Sequence, residues 1–239
     1  MIHLHTRSSY SLLESPLRIE SIIALAQEAG QSAVALTDHT TMYGTMEFIQ
    51  AAKEAKLKPI VGLEFDVWYQ NQRISLLALA KNTQGLQALF QISTLLCQGA
   101  KWIEETRVAF QEDQESILQK EREEKKASLS SVASSFKNPI LPFDEFLSLS
   151  KDLIVFNAGG DSAFEELANS DEDFVRTFFQ TLQHNGATVA VAISLQDSPV
   201  FATTHLRSIA LKEQLMAIAL SRIEYERPKD VELLTLLKA

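Results

Sequence analysis

The chain has 239 residues, 46% hydrophobic and 22% charged, which suits one generous globular domain or two small ones and excludes a disordered or collagen-like chain. At this length folding buries about three quarters of the exposable surface with no disulfide or metal staple. Lys plus Arg is 22 against Asp plus Glu at 31, and the net charge of -9 argues against a stand-alone nucleic-acid binder, so DNA binding by the domain alone is expected to be weak or absent.

Met1–His5 is a short candidate strand with no signal-peptide pattern. Ser15-Pro16 then reads as a helix start, with Ile19, Ile22, Ile23 and Ala26 on one face and Gly30 as the stop. Ala33–Thr37 is a buried strand. Gly44 to Lys56 is a second helix, with Met46, Ile49, Ala52 and Lys53 at helical spacing. Lys58–Trp68 and Ile74–Ala80 are the third and fourth strands, and Gln84 to Cys97 is a third helix. This alternation predicts parallel strands joined by helical crossovers.

The middle changes character. Residues 101–138 form a charged insertion or projecting helix: Glu104 to Ser135 mixes both charge signs with few apolar residues, and Ser128–Ser135 reads as a loop. After Pro139, strands are expected at Leu153–Phe156, Thr188–Ile193 and Val200–Thr203, and a helix within Asp171–Asn185. Arg207 to Arg222 reads as a long final helix and Val231–Leu237 as a short one. Some seven strands with few hairpin signals favour an α/β barrel over an open sheet. Cys97, the single cysteine, fits a reducing cytosol and is assigned to an apolar helix face. No apolar run reaches the length of a membrane span, so a cytoplasmic location with no membrane partner is expected.

The polar residues carry the functional signal. His3 and His5 close the first strand, Asp38 and His39 the second, and Glu64 lies near the end of the third. In a parallel α/β domain these strand ends share one rim, where sites are built. On an extended strand His3 and His5 point the same way and can reach one cation. His, Asp and Glu together suit Zn²⁺ or Mn²⁺. Taken singly, each has a plainer explanation: solvated strand ends for the histidines, an Asx turn at Thr37-Asp38-His39. An unpaired Glu inside an apolar strand is costly, which singles out Glu64. His205, after Phe201-Ala202-Thr203-Thr204, joins the candidates at a late strand end. Asp171-Glu172-Asp173 marks a helix start, Gly159-Gly160-Asp161 a turn, and His184 an exposed helix end.

The segments His3-Leu4-His5-Thr6, Tyr10-Ser11-Leu12-Leu13, Ala35-Leu36-Thr37-Asp38-His39, Met42-Tyr43-Gly44, Lys58-Pro59-Ile60-Val61-Gly62-Leu63-Glu64-Phe65 and Leu79-Ala80-Lys81-Asn82 resemble the polymerase and histidinol phosphatase (PHP) domain. In order and spacing they are most similar to the version at the N-terminus of the bacterial DNA polymerase III alpha subunit. The resemblance is strong over 1–97, weak over 101–150, and returns at Leu153–Gly160 and Ala202–His205. It implies a distorted barrel of seven βα units, a TIM-like (β/α)7 fold, with up to three metals on the rim. It implies His3, His5, His39, Glu64 and His205 as metal ligands and Asp38 as an acid that orients a ligand.

Four departures stand against a full site. Arg7, Ser75, Gly159 and Thr203 occupy positions where the family pattern has a His, a His, a Cys or His, and an Asp. Arg7 puts a positive charge where a cation is expected, which leaves at most one Zn, Mn or Mg ion, or none. The expectation is therefore a single PHP domain over 1–239, excised from a longer polymerase chain. Its role would be structural, in DNA replication, with the rest of the polymerase chain and other replisome subunits as partners. The parent chain would carry nucleotidyl transfer outside these residues. The alternative is an active metal-dependent phosphoesterase or 3′–5′ exonuclease; a third reading, an amidohydrolase-type hydrolase, lacks an aligned late Asp.

Overall fold

A computed structural model describes residues 2–98, 139–158, 164–194, 200–226 and 230 of the chain. The strands are β1 (His5–Thr6), β2 (Ala33–Leu36), β3 (Lys58–Tyr69), β4 (Gln72–Ala80), β5 (Ile140–Pro142), β6 (Leu153–Asn157), β7 (Thr188–Ser194), β8 (Met216–Leu220) and β9 (Arg222–Ile223). The helices are α1 (Ile19–Glu28), α2 (Thr45–Glu54), α3 (Thr83–Gln98), α4 (Phe143–Leu149), α5 (Phe164–Ser170), α6 (Glu172–His184) and α7 (Val200–Lys212).

The main sheet runs β2-β3-β4-β6-β7-β8, with β5 beside the far end of β3, and β1 pairs with β9. Two joints bring these sheets together. The Thr37 amide donates to the Thr6 carbonyl, tying β1 to the end of β2. At the other edge β8 passes through Ser221 straight into β9, the partner of β1. The strands thus follow one another round a distorted, TIM-like barrel.

Strand alternation sorts the core in two. Leu77 and Leu79 of β4, Phe156 of β6, Ala190 and Ala192 of β7 and Leu220 of β8 fill the barrel's inside, with Leu4, Ile60, Ile154 and Ile218 packed against them. The opposite faces of the same strands meet the helices in a larger core that includes Phe65, Val155 and Val191. There an aromatic chain carries α4, α5 and α6: Phe65 meets Phe146 at 5.2 Å, Phe143 meets Phe178 at 4.9 Å, and Phe164 meets Phe179 at 5.1 Å. Gly62 is where β2, β3 and β4 crowd together: an added Cβ would lie 2.5 Å from Leu79 Cδ2 and 2.7 Å from the Ala78 carbonyl oxygen.

Several expectations need correction. β3 and β4 form an antiparallel hairpin, and β4 is antiparallel to β6 as well, so the crossovers are not all parallel. The turn residues Gln70 and Asn71 both have positive φ, as a type I′ hairpin requires, but no glycine announces it. Val200–Thr203 is the start of α7, not a strand. The helix expected over Arg207 to Arg222 ends at Lys212, and β8 and β9 follow. Gln214 takes the left-handed position after α7, and Leu215 N bonds the Ala210 carbonyl, so a helix stop is made without glycine. Strand β1 holds only His5 and Thr6. Helix α1 begins at Ile19 with Arg18 as its N-cap, so Ser15 caps nothing there. Cys97 is exposed rather than core. Residues 101–138, Gly159-Gly160-Asp161 and Val231–Leu237 lie outside the described residues.

Candidate functional site at the barrel mouth

The inward face of β3 runs through Ile60, Gly62, Glu64 and Asp66, so one strand face passes from apolar to ionised along its length. Beyond β2 the ladder continues: Glu64 N bonds the Asp38 carbonyl, and Thr40 N bonds the Glu64 carbonyl, which sets His39 beside Glu64. Thr40 sits at φ 62°, a conformation that a β-branched residue adopts only under constraint, and Ser93 Oγ holds its carbonyl at 3.0 Å.

Three carboxylates converge on one guanidinium. Arg7 is 6% exposed. Its Nε donates to Glu64 Oε2 at 2.7 Å. Its Nη1 lies 2.9 Å from Glu14 Oε2 and 3.1 Å from Glu224 Oε1. The same Glu64 oxygen meets His5 Nε2 at 2.8 Å, and Arg222 Nε reaches Glu224 Oε1 at 2.6 Å. Glu14 also holds His39, whose Nδ1 lies 2.8 Å from Oε1. His5 is fully buried, and its Nδ1 has no partner among the described residues.

The loop from β1 to α1 is fastened by Asp38. Its carboxylate accepts from the Ser8 amide at 2.6 Å, Ser8 Oγ at 2.8 Å and Ser11 Oγ at 2.7 Å. Ser11 Oγ in turn accepts from the His39 amide at 3.0 Å. Ser15 Oγ lies 2.9 Å from the Arg7 carbonyl and 2.8 Å from that of Glu224, joining this loop to the segment that follows β9.

Burial alone would raise the Glu64 carboxyl, but the charges of His5 and Arg7 and their hydrogen bonds hold it well below the ordinary carboxylate range. Burial would likewise lower Arg7, yet Glu64, Glu14 and Glu224 hold it above its usual value. For Glu14, the burial that would raise it is outweighed by His39 and Arg7, which lower it. For His39, burial that would lower it is outweighed by Glu14 and Glu64, which raise it. Burial pushes Asp38 up, against the hydrogen bonds from Ser11 and Ser8.

Of the residues singled out in the sequence, His5, Arg7, Asp38, His39 and Glu64 meet at this mouth. His3 precedes β1 and is half-buried. His205 needs correction: it lies on α7, exposed, in the electrostatic reach of Glu172 at the start of α6, not at a strand end. Thr203 is on the same helix. Ser75 faces Asp66 across the hairpin and donates to its Oδ1 at 2.5 Å, while Arg73 Nε donates to Oδ2 at 2.9 Å. Gly159 lies outside the described residues. Sequence reasoning missed Glu14, Glu224, Ser8 and Ser11. Glu224 lies just past the helix expected over Arg207 to Arg222, where no element was expected; Ser8, Ser11 and Glu14 lie in a loop with no periodicity to place them.

A divalent metal does not fit these residues as they stand. The point that Glu14, Glu64 and Glu224 face is filled by Arg7, and Glu64 Oε2 already accepts from Arg7 and His5. Among the described residues no three His, Cys, Asp or Glu side chains gather as ligands for one ion.

The PHP domain family pattern matches residues 3–185. The chain belongs to the PHP domain family. Among curated relatives, it is 42% identical to the DNA polymerase III subunit alpha of Halalkalibacterium halodurans over 96 residues, 40% of this chain and 9% of that protein. It is 36% identical to the Bacillus subtilis DNA polymerase III subunit alpha over 103 residues, 42% of this chain and 9% of that one. The matched stretch is thus about a tenth of each polymerase subunit's length. Among solved structures, a Bifidobacterium adolescentis protein assigned as a metal-dependent phosphoesterase superposes with a TM-score of 0.61 at 14% identity, covering 99% of this chain and 96% of that one. That likeness speaks for the shared fold. Among the described residues of this PHP domain, no helix is long and apolar enough to cross a membrane.

Proposed function

We propose that this PHP domain, one unit over 1–239, is part of a bacterial replicative DNA polymerase and serves it structurally rather than by hydrolysing phosphoesters. One observation carries the structural reading: Arg7 stands within hydrogen-bond reach of all three mouth carboxylates, in the position a water-activating cation needs. A guanidinium neutralises carboxylates but has no open coordination position in which to bind and acidify water. The polymerase half of the reading is supported by the relatives, whose DNA polymerase III alpha chains extend far beyond the matched region. Nucleotidyl transfer would reside in such a remainder, and the partners would be that remainder and other replisome subunits, in the cytoplasm.

Exposed apolar side chains in the loop after β1 and around the start of α2 suit docking to the remainder of a polymerase chain. Leu12 is 80% exposed and Tyr43 76% exposed, with Leu13 and Met46 nearby in sequence. Tyr10 lies against Gly44, between Tyr43 and Met46, and donates its hydroxyl to Glu47 at 2.7 Å.

The test is a turnover assay on a model phosphate ester and on a 3′-mismatched oligonucleotide, with added Zn²⁺ or Mn²⁺ and with His5→Ala as control. The expected result is no metal-dependent turnover. Metal-dependent cleavage abolished by His5→Ala would overturn the structural reading in favour of an active phosphoesterase or exonuclease.

A further inference from the structure

Residues 8–15, between β1 and α1, form a tight turn that displays leucines instead of hiding them. Ser11 N bonds the Ser8 carbonyl at 2.9 Å, and Glu14 N bonds the Ser11 carbonyl at 3.0 Å. Leu12 and Leu13 stand at the tip, 80% and 55% exposed. Leu13 has φ 64°, a left-handed conformation that a residue with a Cβ adopts at a cost. The turn is pinned from inside: Asp38 accepts from the Ser8 and Ser11 hydroxyls, and Arg7 holds Glu14. The leucines are thus held off the core, and a partner that covers them loses little entropy in ordering the loop.

Tyr10 extends this surface to α2. Its ring lies over Gly44, where an added Cβ would stand 2.6 Å from Tyr10 Cδ2. On either side of Gly44 in sequence are Tyr43, 76% exposed, and Met46, 67% exposed. The Tyr10 hydroxyl donates to Glu47 at 2.7 Å. Glu47, with a smaller push from Glu20, holds that hydroxyl above its ordinary pKa, so both carboxylates act on this one ring. Both glutamates are exposed, and among the described residues no Lys or Arg pairs with either. An exposed apolar cluster edged by polar groups marks an interaction surface. Acids without a counter-ion decide which kind. Nucleic acid and anionic lipid are repelled. A second copy docked through the same patch would set Glu20 and Glu47 against their own counterparts. A cationic partner is attracted.

We propose that Tyr10, Leu12, Leu13, Tyr43 and Met46 form a preformed seat for an apolar segment of a partner protein that carries Lys or Arg, received by Glu47 and Glu20. This deepens the reading of the chain as a structural part of a polymerase, and rests on it, by stating what the docked remainder presents at this face. The tyrosine rings act as rigid anchors. The two carboxylates set the partner's orientation and reject acidic segments.

The native chain is panned against phage-displayed random short peptides at about 0.15 M salt, after depletion on Leu12→Asp/Tyr43→Asp. Affinities of the enriched peptides are then read by fluorescence anisotropy for the native chain, Glu47→Lys, Met46→Asp and, as a control of equal charge change, Glu145→Lys on α4. All these side chains are exposed, so the variants should keep the native circular dichroism and thermal midpoint. Met46→Asp takes over the depletion should the double variant unfold. The expected peptides combine apolar residues with Lys or Arg. They should bind Glu47→Lys and Met46→Asp at least roughly tenfold more weakly than the native chain, and Glu145→Lys equally well. Failure to enrich any peptide overturns the proposal, as do enriched peptides without Lys or Arg, or an equal loss in Glu145→Lys. A native dimer in sedimentation that Leu12→Asp/Tyr43→Asp disperses assigns the seat to a second copy and overturns it too. Binding to phosphatidylcholine vesicles that the same variant loses assigns it to a membrane, with the same consequence. No polymerase and no phosphoester enters these measurements, so failure here leaves the functional reading to its own turnover test.

Discussion

The floor and the mouth of the barrel are built on the same strands and held by different physics. At the floor, Leu77, Leu79, Phe156, Ala190, Ala192 and Leu220 interdigitate, and their stabilisation is non-directional and insensitive to charge. At the mouth the inward positions are ionised, and each oxygen or nitrogen needs a partner at a particular distance and angle. The floor tolerates repacking because apolar volume is interchangeable. The mouth does not, because removing one ion leaves another buried without its counter-charge. The difference teaches where this domain has specialised: its generic part keeps the fold, and its specific part fastens loops that the fold leaves open.

The sharpest way to break that comparison is to remove the shared acceptor. Glu64→Leu matches side-chain bulk but leaves His5 without its partner and Arg7 without its strongest one. Breaking a buried pair on one side costs roughly 3–5 kcal/mol, and urea unfolding monitored by circular dichroism should read a loss of that size. A loss below about 1 kcal/mol, the level of an exposed pair, would mean that the mouth is energetically a surface.

At the floor, Leu77→Ala removes a fully buried side chain. The expected loss is about 3 kcal/mol, from lost transfer free energy and the cavity left behind. Leu77→Met should cost less than about 1.5 kcal/mol, since its volume is nearly conserved. If the Met and Ala variants were equally damaged, the floor would be as exacting as the mouth.

Between the two lies Asn157, a buried amide that joins β6 to β7. Its Nδ2 donates to the Ala192 carbonyl and its Oδ1 accepts from the Ala192 amide, both at 2.8 Å. The amide continues the pairing of Ile154 and Val155 with β7 beyond the last backbone register. Asn157→Ala should cost about 2 kcal/mol, because two buried backbone groups lose partners. Amide exchange at Ala192, followed by NMR, should accelerate while exchange at Val155 stays slow.

Much of the first third was legible because its signals are local. Apolar spacing at Ile19, Ile22, Ile23 and Ala26 marks α1, and Gly30, at φ 61°, marks its end. Reading failed where a non-glycine residue adopts a left-handed conformation: Gln70 and Asn71 at the hairpin, and Gln214 after α7. At those points tertiary contacts impose what the local sequence does not advertise. Met216-Ala217-Ile218-Ala219-Leu220 misled for a related reason, since Met, Ala and Leu favour helix and only barrel closure makes them a strand. His5, Asp38, His39 and Glu64 were legible because strand ends share a rim. Glu14 and Glu224 were not, because loops and the final strand bring them there, and only the three-dimensional need to neutralise Arg7 explains their place.

The smallest expected effect separates the two regions by pH. Glu64 is depressed well below its ordinary value, and Glu14 is lowered too. Their stabilisation is present above the carboxylates' unfolded pKa, near 4.5, and is lost as pH falls through the depressed folded values. His39 is raised above 6.5, so its stabilisation is complete below that pH and is lost as pH rises through the raised value. Asp38, raised by burial, opposes the two glutamates and softens the acid limb without reversing it. Stability should therefore peak between about pH 4.5 and 6.5 and decline on both sides. The check is the urea midpoint measured from pH 3 to 9 for the native chain, Leu77→Ala and His39→Gln. Leu77→Ala should lower the whole curve and keep its shape, because the floor holds no titrating group. His39→Gln should flatten the alkaline limb and weaken the acid limb only by the share that Glu14 contributes, because Glu64 still has Arg7 and His5. A Leu77→Ala curve that changed shape would mean that the floor and the mouth are coupled, and that the barrel's apolar packing sets the spacing of its ions.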